Sequence, residues 1–193
     1  MTREATVERK TKETDVRVKL RIEGAGKGSA ETGLPFFDHM LEQLGKHGGF
    51  DLSVACKGDL EIDGHHTVED TGIAVGQALS AALGDKAGIR RFASASVPLD
   101  EALVAVSLDI SGRPFLVWDV PVPSEMIGTF DTGLAEDFVQ AFVQTVGISL
   151  HVRMVSGRSP HHVLEAAFKG MASALRDACS VTGSGIPSTK GTL

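Results

Sequence analysis

The stretch HHTVEDTGIAVGQALSAAL, residues 65–83, decides the fold because a second stretch repeats its pattern. HHVLEAAFKGMASALRDA, residues 161–178, shares the spacing H-H-x-x-E, a stripe of apolar residues and an Ala-Leu pair near its end. Apolar residues that recur every three or four positions predict an amphipathic helix in each stretch. The two stretches are about half a chain apart, further than the ~20–50 residues of solenoid repeats. The sequence therefore predicts an internal duplication into two similar β/α halves packed face to face.

The other segments of each half follow one order, strands first and then helix, strand and helix. Alternation of apolar and polar residues predicts strands, and a 3.6-residue period predicts helices. The predicted strands are residues 2–10, 15–22, 50–56, 92–98, 102–110, 114–120 and 148–154. The predicted helices are residues 35–45, 65–83, 131–146 and 160–179. Residues 24–33 hold four glycines and are predicted to be a loop.

The composition excludes several classes of protein. Among 193 residues, 19 Lys and Arg stand against 25 Asp and Glu, and the net charge of −6 argues against a general nucleic-acid binder. A hydrophobic share of 42% and a charged share of 23% are typical of a folded domain. The two cysteines fit no zinc-binding spacing, and the charged N-terminus lacks the apolar core of a signal peptide. We therefore expect a cytoplasmic protein.

Four of the seven histidines form two adjacent pairs, one in each half. Positions i and i+4 share a helix face, so His65 lies beside Glu69, and His161 beside Glu165. Imidazole nitrogen and carboxylate oxygen together suit a divalent transition metal such as manganese, iron or zinc. The expected ligand sets are His65, Glu69 and His162 for one site and His161, Glu165 and His66 for its repeat. The candidates to complete these sets are His39 and His151.

Simpler interpretations of the motifs exist. A single His–Glu pair at i,i+4 is commonly a helix-surface hydrogen bond, and it is the duplication that favours metal binding. Two functions are compatible with a paired metal site, that of a dinuclear metallohydrolase acting on a phosphate ester and that of a metal-binding assembly protein. The acidic stretch over residues 59–63 is interpreted as a solvated edge.

Five motifs, in order along the chain, resemble the imidazoleglycerol-phosphate dehydratase family. They are F-F-D-H-M-L at 36–41, D-G-H-H-T-V-E-D-T at 63–71, S-G-R-P at 111–114, S-P-H-H-V-L-E-A-A-F-K at 159–169 and P-S-T-K-G at 187–191. The resemblance extends from Arg9 to the C-terminal tail. It covers every proposed metal-ligand position without a departure.

The resemblance implies a fold and an activity. The fold is α+β, ribosomal S5 domain 2-like, with two halves that pack helix to helix, each a mainly antiparallel sheet with two helices on one face. One domain would span residues 1–193, with repeats at about 1–88 and 89–184 and a substrate-binding tail. The activity is that of a hydro-lyase in histidine biosynthesis, which dehydrates D-erythro-imidazole glycerol phosphate to imidazole acetol phosphate. Two Mn²⁺ per active site and a 24-subunit assembly with sites shared between subunits are also implied.

The chemistry of this reaction accounts for a metal site. The carbon that loses its proton has no adjacent carbonyl, whereas the leaving hydroxyl is on the carbon bonded to the imidazole ring. A metal on one ring nitrogen would acidify the other N–H. The resulting imidazolate would expel the hydroxyl through a diazafulvene-like intermediate.

The resemblance also implies roles for individual residues. The catalytic residues are Glu13, Glu69 and Glu165, with Glu13 placed for proton transfer or hydroxyl contact. The metal ligands are His39, His65, His66, Glu69, His151, His161, His162 and Glu165. The substrate contacts are Glu13, His39, His47, His65, Asp70, Arg91, Arg113, His161, Lys169, Ser188 and Lys190. Within that set, the residues implied to bind the substrate phosphate are Arg91, Arg113, Ser188 and Lys190.

Overall fold

The computed structural model describes residues 2–123 and 125–193, which form ten strands and four helices. The strands are β1 Glu4–Lys10, β2 Thr14–Arg21, β3 Gly28–Glu31, β4 Asp51–Gly58, β5 Phe92–Leu99, β6 Ala102–Asp109, β7 Phe115–Asp119, β8 Met126–Ile127, β9 Phe130–Asp131 and β10 Ser149–Ser156. The helices are α1 Pro35–Gly48, α2 His65–Leu83, α3 Leu134–Val146 and α4 Pro160–Cys179. None of the helices among these residues combines the length and apolarity that a membrane crossing requires.

Two four-stranded sheets repeat one topology. The first has the strand order β1-β2-β4-β3 and the second β5-β6-β10-β7. In each sheet three strands pair antiparallel, and one edge strand, β3 or β7, pairs parallel. The same order and the same parallel edge in both sheets confirm the predicted α+β class with duplicated halves.

The four helices lie between the two sheets. Helices α1 and α2 cover the first sheet, α3 and α4 cover the second, and the layers meet through α2 against α3 and α1 against α4. Alternation along β2 buries Val16, Val18 and Leu20 toward the helices. At the centre, the Phe138 ring lies 5.3 Å from that of Phe37. The two halves therefore share one hydrophobic core, and the predicted helix-to-helix packing is confirmed.

Three local predictions were wrong. Strand β3 lies inside the predicted glycine loop, where parallel pairing with β4 stabilises a segment that has no apolar alternation. A side chain at Gly28 would lie 3.0 Å from the Glu42 backbone, so the glycine permits β3 to approach α1. Helix α1 continues to Gly48 and ends at a left-handed Gly49. The short β8–β9 pair takes up the start of the predicted third helix, which begins at Leu134.

Candidate metal and substrate site

A cluster of possible metal donors lies where α1 meets α4. Oε2 of Glu165 is 3.2 Å from Nε2 of His161 and 3.4 Å from Nε2 of His39. One donor atom from each of these three residues lies within 4.8 Å of the others. Two imidazole nitrogens and one carboxylate oxygen form a donor set that suits a divalent transition metal.

Local sequence explains why these side chains are held at helix starts. Pro35 occupies the first turn of α1, and Asp38 accepts hydrogen bonds from the backbone N–H and the hydroxyl of Thr32, at 2.8 and 2.6 Å. Ser159 caps α4 by accepting from the backbone N–H of His162, and Pro160 follows it. Both helices therefore begin at defined residues, and the histidines project from their first turns.

Glu165 is buried, and Lys169 holds its second oxygen. The Lys169 ammonium lies 2.7 Å from Oε1 of Glu165. Burial raises the pKa of the Glu165 carboxyl, but the hydrogen bond and charge of Lys169, together with His39, outweigh burial and leave this pKa below its ordinary value. Glu165 is therefore ionised near neutral pH, and its Oε2 is the atom nearest the two histidines.

A polar row along α1 extends from the cluster. Gln43 contacts Nδ1 of His39 at 3.4 Å and Nε2 of His47 at 3.0 Å, so the three residues are joined at intervals of four. Burial, and then the charge of Lys169, lower the pKa of His47. Sequence reasoning missed Gln43, although its spacing of four from both histidines indicates a shared helix face.

The donors around the first-half motif lie less close together. Nδ1 of His65 lies 3.4 Å from Oδ2 of Asp137 on α3, and Nε2 lies 3.9 Å from Oε2 of Glu69. The Glu69 side chain is 48% exposed, against 12% for Glu165. Asp137 is a further residue that sequence reasoning missed, because its position depends on the packing of α3 against α2.

The second histidine of each motif lies apart from both clusters. His66 Nδ1 is 3.0 Å from Asp59, and His162 Nδ1 is 2.8 Å from Glu101. The expected joining of His66 to the second-half pair, and of His162 to the first-half pair, therefore does not occur within one chain. Adjacent helix positions diverge by about 100°. The interpretation of Asp59 as part of a solvated edge was wrong, since its side chain is 15% exposed and bonded to His66.

Three other predicted residues lie elsewhere. His151 is exposed on β10, on the sheet face opposite the helices, because Leu150 and Val152 face the core. Glu13 is exposed in the turn between β1 and β2, where its charge helps to raise the pKa of His66 after the larger effect of Asp59. Asp70 is buried against Arg9 and Thr14.

The C-terminal tail lies against the segments that hold two of the predicted phosphate-binding residues, Arg91 and Arg113. The Arg91 guanidinium donates to both oxygens of Asp109, at 2.7 and 3.1 Å, and to the Pro187 carbonyl at 2.8 Å. Leu193 lies against Gly112, next to the exposed Arg113. Ser188 and Lys190 lie in the chain between these two contacts.

Comparisons with known proteins identify the family of the chain. The model of the family described as imidazoleglycerol-phosphate dehydratase matches residues 32–175. A relative of that name from Parafrankia sp. (strain EAN1pec) is 58% identical over 195 residues, covering 100% of both chains. Another from Acidothermus cellulolyticus is 56% identical and covers 99% of this chain and 93% of its own length.

Solved structures show the same likeness. The crystal structure of the enzyme from Pyrococcus furiosus in complex with (S)-C348 is 38% identical, covers 97% of this chain and all of that chain, and has a TM-score of 0.83. The enzyme from Staphylococcus aureus is 32% identical, with a TM-score of 0.80, covering 93% of this chain and 99% of that one. The chain belongs to the imidazoleglycerol-phosphate dehydratase family of hydro-lyases (EC 4.2.1.19), enzymes of histidine biosynthesis.

Proposed function

We propose that His39, His161 and Glu165 hold a divalent metal in the active site that dehydrates imidazole glycerol phosphate to imidazole acetol phosphate. The approach of three donor atoms at the α1–α4 contact is the observation that supports this most directly. The donor set contains nitrogen and carboxylate oxygen but no thiolate, which suits Mn²⁺, and two Mn²⁺ per active site are the proposed cofactor. A bound metal supplies polarisation of a coordinated imidazole and acidifies its remaining N–H.

The residues around the cluster have separate tasks. Lys169 occupies Oε1 of Glu165 and so leaves Oε2 for the donor set. His47, whose pKa is lowered, is a neutral imidazole at pH 7 that contacts a substrate hydroxyl. Glu13 transfers the substrate C–H proton or contacts a hydroxyl from its exposed turn. The route through a diazafulvene-like intermediate stays a prediction.

The phosphate group of the substrate is assigned to the end of the second sheet. Arg113 and Lys190 are exposed cations there, and Ser188 supplies a hydroxyl. Arg91 is assigned to the same group, and its bond to the Pro187 carbonyl brings the tail beside it. Asp70, enclosed by Arg9 and Thr14, is assigned to the support of the first-half motif rather than to direct substrate contact.

Sites shared between subunits are part of the proposal. The first-half cluster offers His65 and Glu69 with an aspartate, whereas His66, His151 and His162 all lie away from it. Donors that are separated within one chain can complete a site when copies associate, as the implied 24-subunit assembly requires. We propose this assembly, in the cytoplasm, as the working form of the enzyme.

Metal analysis and a product assay test the proposal together. We expect the active protein to carry about two Mn²⁺ per chain and to convert the substrate to an enolisable ketone without releasing phosphate. Removal of Mn²⁺ by a chelator should abolish turnover, and its return should restore it. Full turnover by protein with no bound metal would contradict the metal assignment. Release of free phosphate would favour the metallohydrolase alternative.

The tail assignment has its own test. Truncation after Gly185 removes the carbonyl that binds Arg91 together with Ser188 and Lys190. We expect a sharp rise in KM with an unchanged Mn²⁺ content, because the proposed metal donors lie on α1, α2, α4 and β10, outside the tail. An unchanged KM would refute a phosphate-binding role for the tail.

A further inference from the structure

The second histidine of each H-H-x-x-E motif has a carboxylate at its Nδ1 atom. His66 Nδ1 lies 3.0 Å from Oδ2 of Asp59, and His162 Nδ1 lies 2.8 Å from Oε2 of Glu101. An ionised carboxylate only accepts hydrogen bonds, so the hydrogen of each bond is on Nδ1. In the neutral ring this tautomer leaves the lone pair of Nε2 available for a metal.

Different loops supply the two carboxylates. Asp59 directly follows β4, whereas Glu101 lies in the turn between β5 and β6. The corresponding turn of the first half, between β1 and β2, holds Glu13, and the residue directly after β10 is Gly157. Because the two carboxylates come from loops that do not correspond in the repeat, the duplication does not explain why both histidines have a carboxylate at Nδ1. The contact is therefore assigned to a function that both halves share.

Glu101 is itself held in place. Its Oε1 accepts from the backbone N–H groups of Ser159 and Arg158, at 2.8 and 3.2 Å, which leaves Oε2 for His162. The side chains of His66 and His162 are 33% and 34% exposed. Within residues 2–123 and 125–193, Nε2 of His66 and Nε2 of His162 make no hydrogen bond. The nearest charged group to Nε2 of His162 that forms an ion pair is the Asp100 carboxylate, at 3.9 Å.

We propose that Asp59 and Glu101 are positioning residues that hold His66 and His162 in the tautomer whose Nε2 binds a metal. Since neither ring reaches a donor cluster of its own chain, each Nε2 is offered to a site that another copy completes. The inference rests on the proposed metal-dependent function and adds to it the residues that select the tautomer. Carboxylate partners of this kind orient ligating histidines and increase their basicity.

The Glu101→Gln variant tests the tautomer while keeping the shape of the side chain. The two backbone N–H groups hold the amide oxygen, so the amide NH₂ faces Nδ1 of His162 and donates to it. His162 then accepts at Nδ1 and carries its hydrogen on Nε2, which blocks metal binding. Glu101→Ala instead removes the anchor and leaves either tautomer open. Glu61→Gln, an equal change of charge at an exposed position near Asp59, is the matched control.

Mn²⁺ titration of the metal-free protein, read by the electron paramagnetic resonance signal of free Mn²⁺, separates the two roles of Glu101. We expect Glu101→Gln to raise the Mn²⁺ Kd by about 10–100-fold, at least as much as Glu101→Ala does. Glu101→Ala should lower the melting temperature more, because it also loses the backbone contacts. Glu61→Gln should change neither value.

Two results would overturn the inference. One is a wild-type Kd in Glu101→Gln, and the other is a set of Kd changes that simply follows the melting temperatures. Asp59→Asn provides a second test, with a smaller effect expected because no backbone donor fixes the orientation of its amide. If Glu101→Gln does not fold, a wild-type Kd in Asp59→Leu, which removes the acceptor at Nδ1 of His66, overturns the inference. Failure of the unmodified protein to bind Mn²⁺ would instead contradict the proposed function.

Discussion

The two H-H-x-x-E motifs occupy the first turns of equivalent helices, yet their glutamates lie in unlike surroundings. On α4, Glu165 is buried and contacts two histidines and Lys169. On α2, the Glu69 side chain is 48% exposed and lies 3.9 Å from His65. One half therefore brings three donor atoms within 4.8 Å of one another, whereas the donors of the other half lie further apart and are more exposed.

The difference originates on the partner helices. Helices α1 and α3 end at left-handed glycines, Gly49 and Gly147, and the next strand begins two residues after each glycine, so His39 corresponds to Asp137. His39 contacts Glu165 on α4, whereas Asp137 contacts His65 on α2. Helix α3 therefore contributes a carboxylate at the position where α1 contributes an imidazole. The first half consequently has one histidine among its three donors, and the second half has two.

Equal substitutions of the two glutamates give the largest effects and separate their surroundings. Glu165→Gln and Glu69→Gln should each lower kcat/KM by more than about 100-fold, because each removes a proposed metal ligand. Only Glu165→Gln should also destabilise the metal-free protein, by about 2 kcal/mol, since it weakens a charged hydrogen bond to the half-buried Lys169. Urea unfolding at one protein concentration measures this. Equal losses of stability in the two variants would contradict the claim that Glu165, but not Glu69, contributes to the stability of the metal-free protein.

Two neighbouring positions on α3 test this correspondence. Phe138→His should destabilise the protein by about 3–5 kcal/mol, because it removes aromatic packing and buries polar nitrogens. Asp137→His places on α3 the imidazole that α1 has at His39, and it should cost less than about 0.5 kcal/mol, because that side chain is 44% exposed. Thermal unfolding of both metal-free variants measures these changes. Equal losses of stability in the two variants would contradict the assignment of Asp137 to the donor position and of Phe138 to the core.

Much of this arrangement can be predicted from local sequence signals. Helices α2 and α4 begin and end at the predicted residues 65–83 and 160–179, because their apolar periodicity is strong. The i,i+4 spacing correctly places His161 beside Glu165. Strand β3 escapes prediction because its pairing, rather than its own pattern, stabilises it.

The partners of the histidines depend on which helices pack together. His39 joins the second-half motif only because α1 packs on α4, which no local pattern reveals. For the same reason sequence reasoning assigned His66 and His162 to the clusters and overlooked Asp59 and Glu101. The parts of the site that depend on contacts between residues far apart in sequence could therefore not be predicted from the sequence.

The smallest expected effect is on the pH dependence of stability, which differs between His66 and His162, the second histidines of the two motifs. A hydrogen bond from His162, supported by the Ser159 backbone, lowers the pKa of Glu101 from 4.5 to about 2, and Glu101 raises the pKa of His162 above 6.5. The Glu101 contribution is complete above pH 4.5 and is lost as pH falls toward 2. The His162 contribution is complete below pH 6.5 and is lost as pH rises through its raised pKa.

The stability difference between wild type and Glu101→Gln, both metal-free, should therefore be largest between pH 4.5 and 6.5. Thermal melts at about pH 5.5 and about pH 8.5 measure this difference at a fixed protein concentration. Asp59 likewise raises the pKa of His66, so Asp59→Asn should also destabilise more at the lower pH. The first-half change, however, should disappear more fully at high pH, because no backbone N–H of the described residues bonds to the side-chain carboxylate of Asp59. A pH-independent effect in both variants would show that neither carboxylate interacts with a titrating histidine.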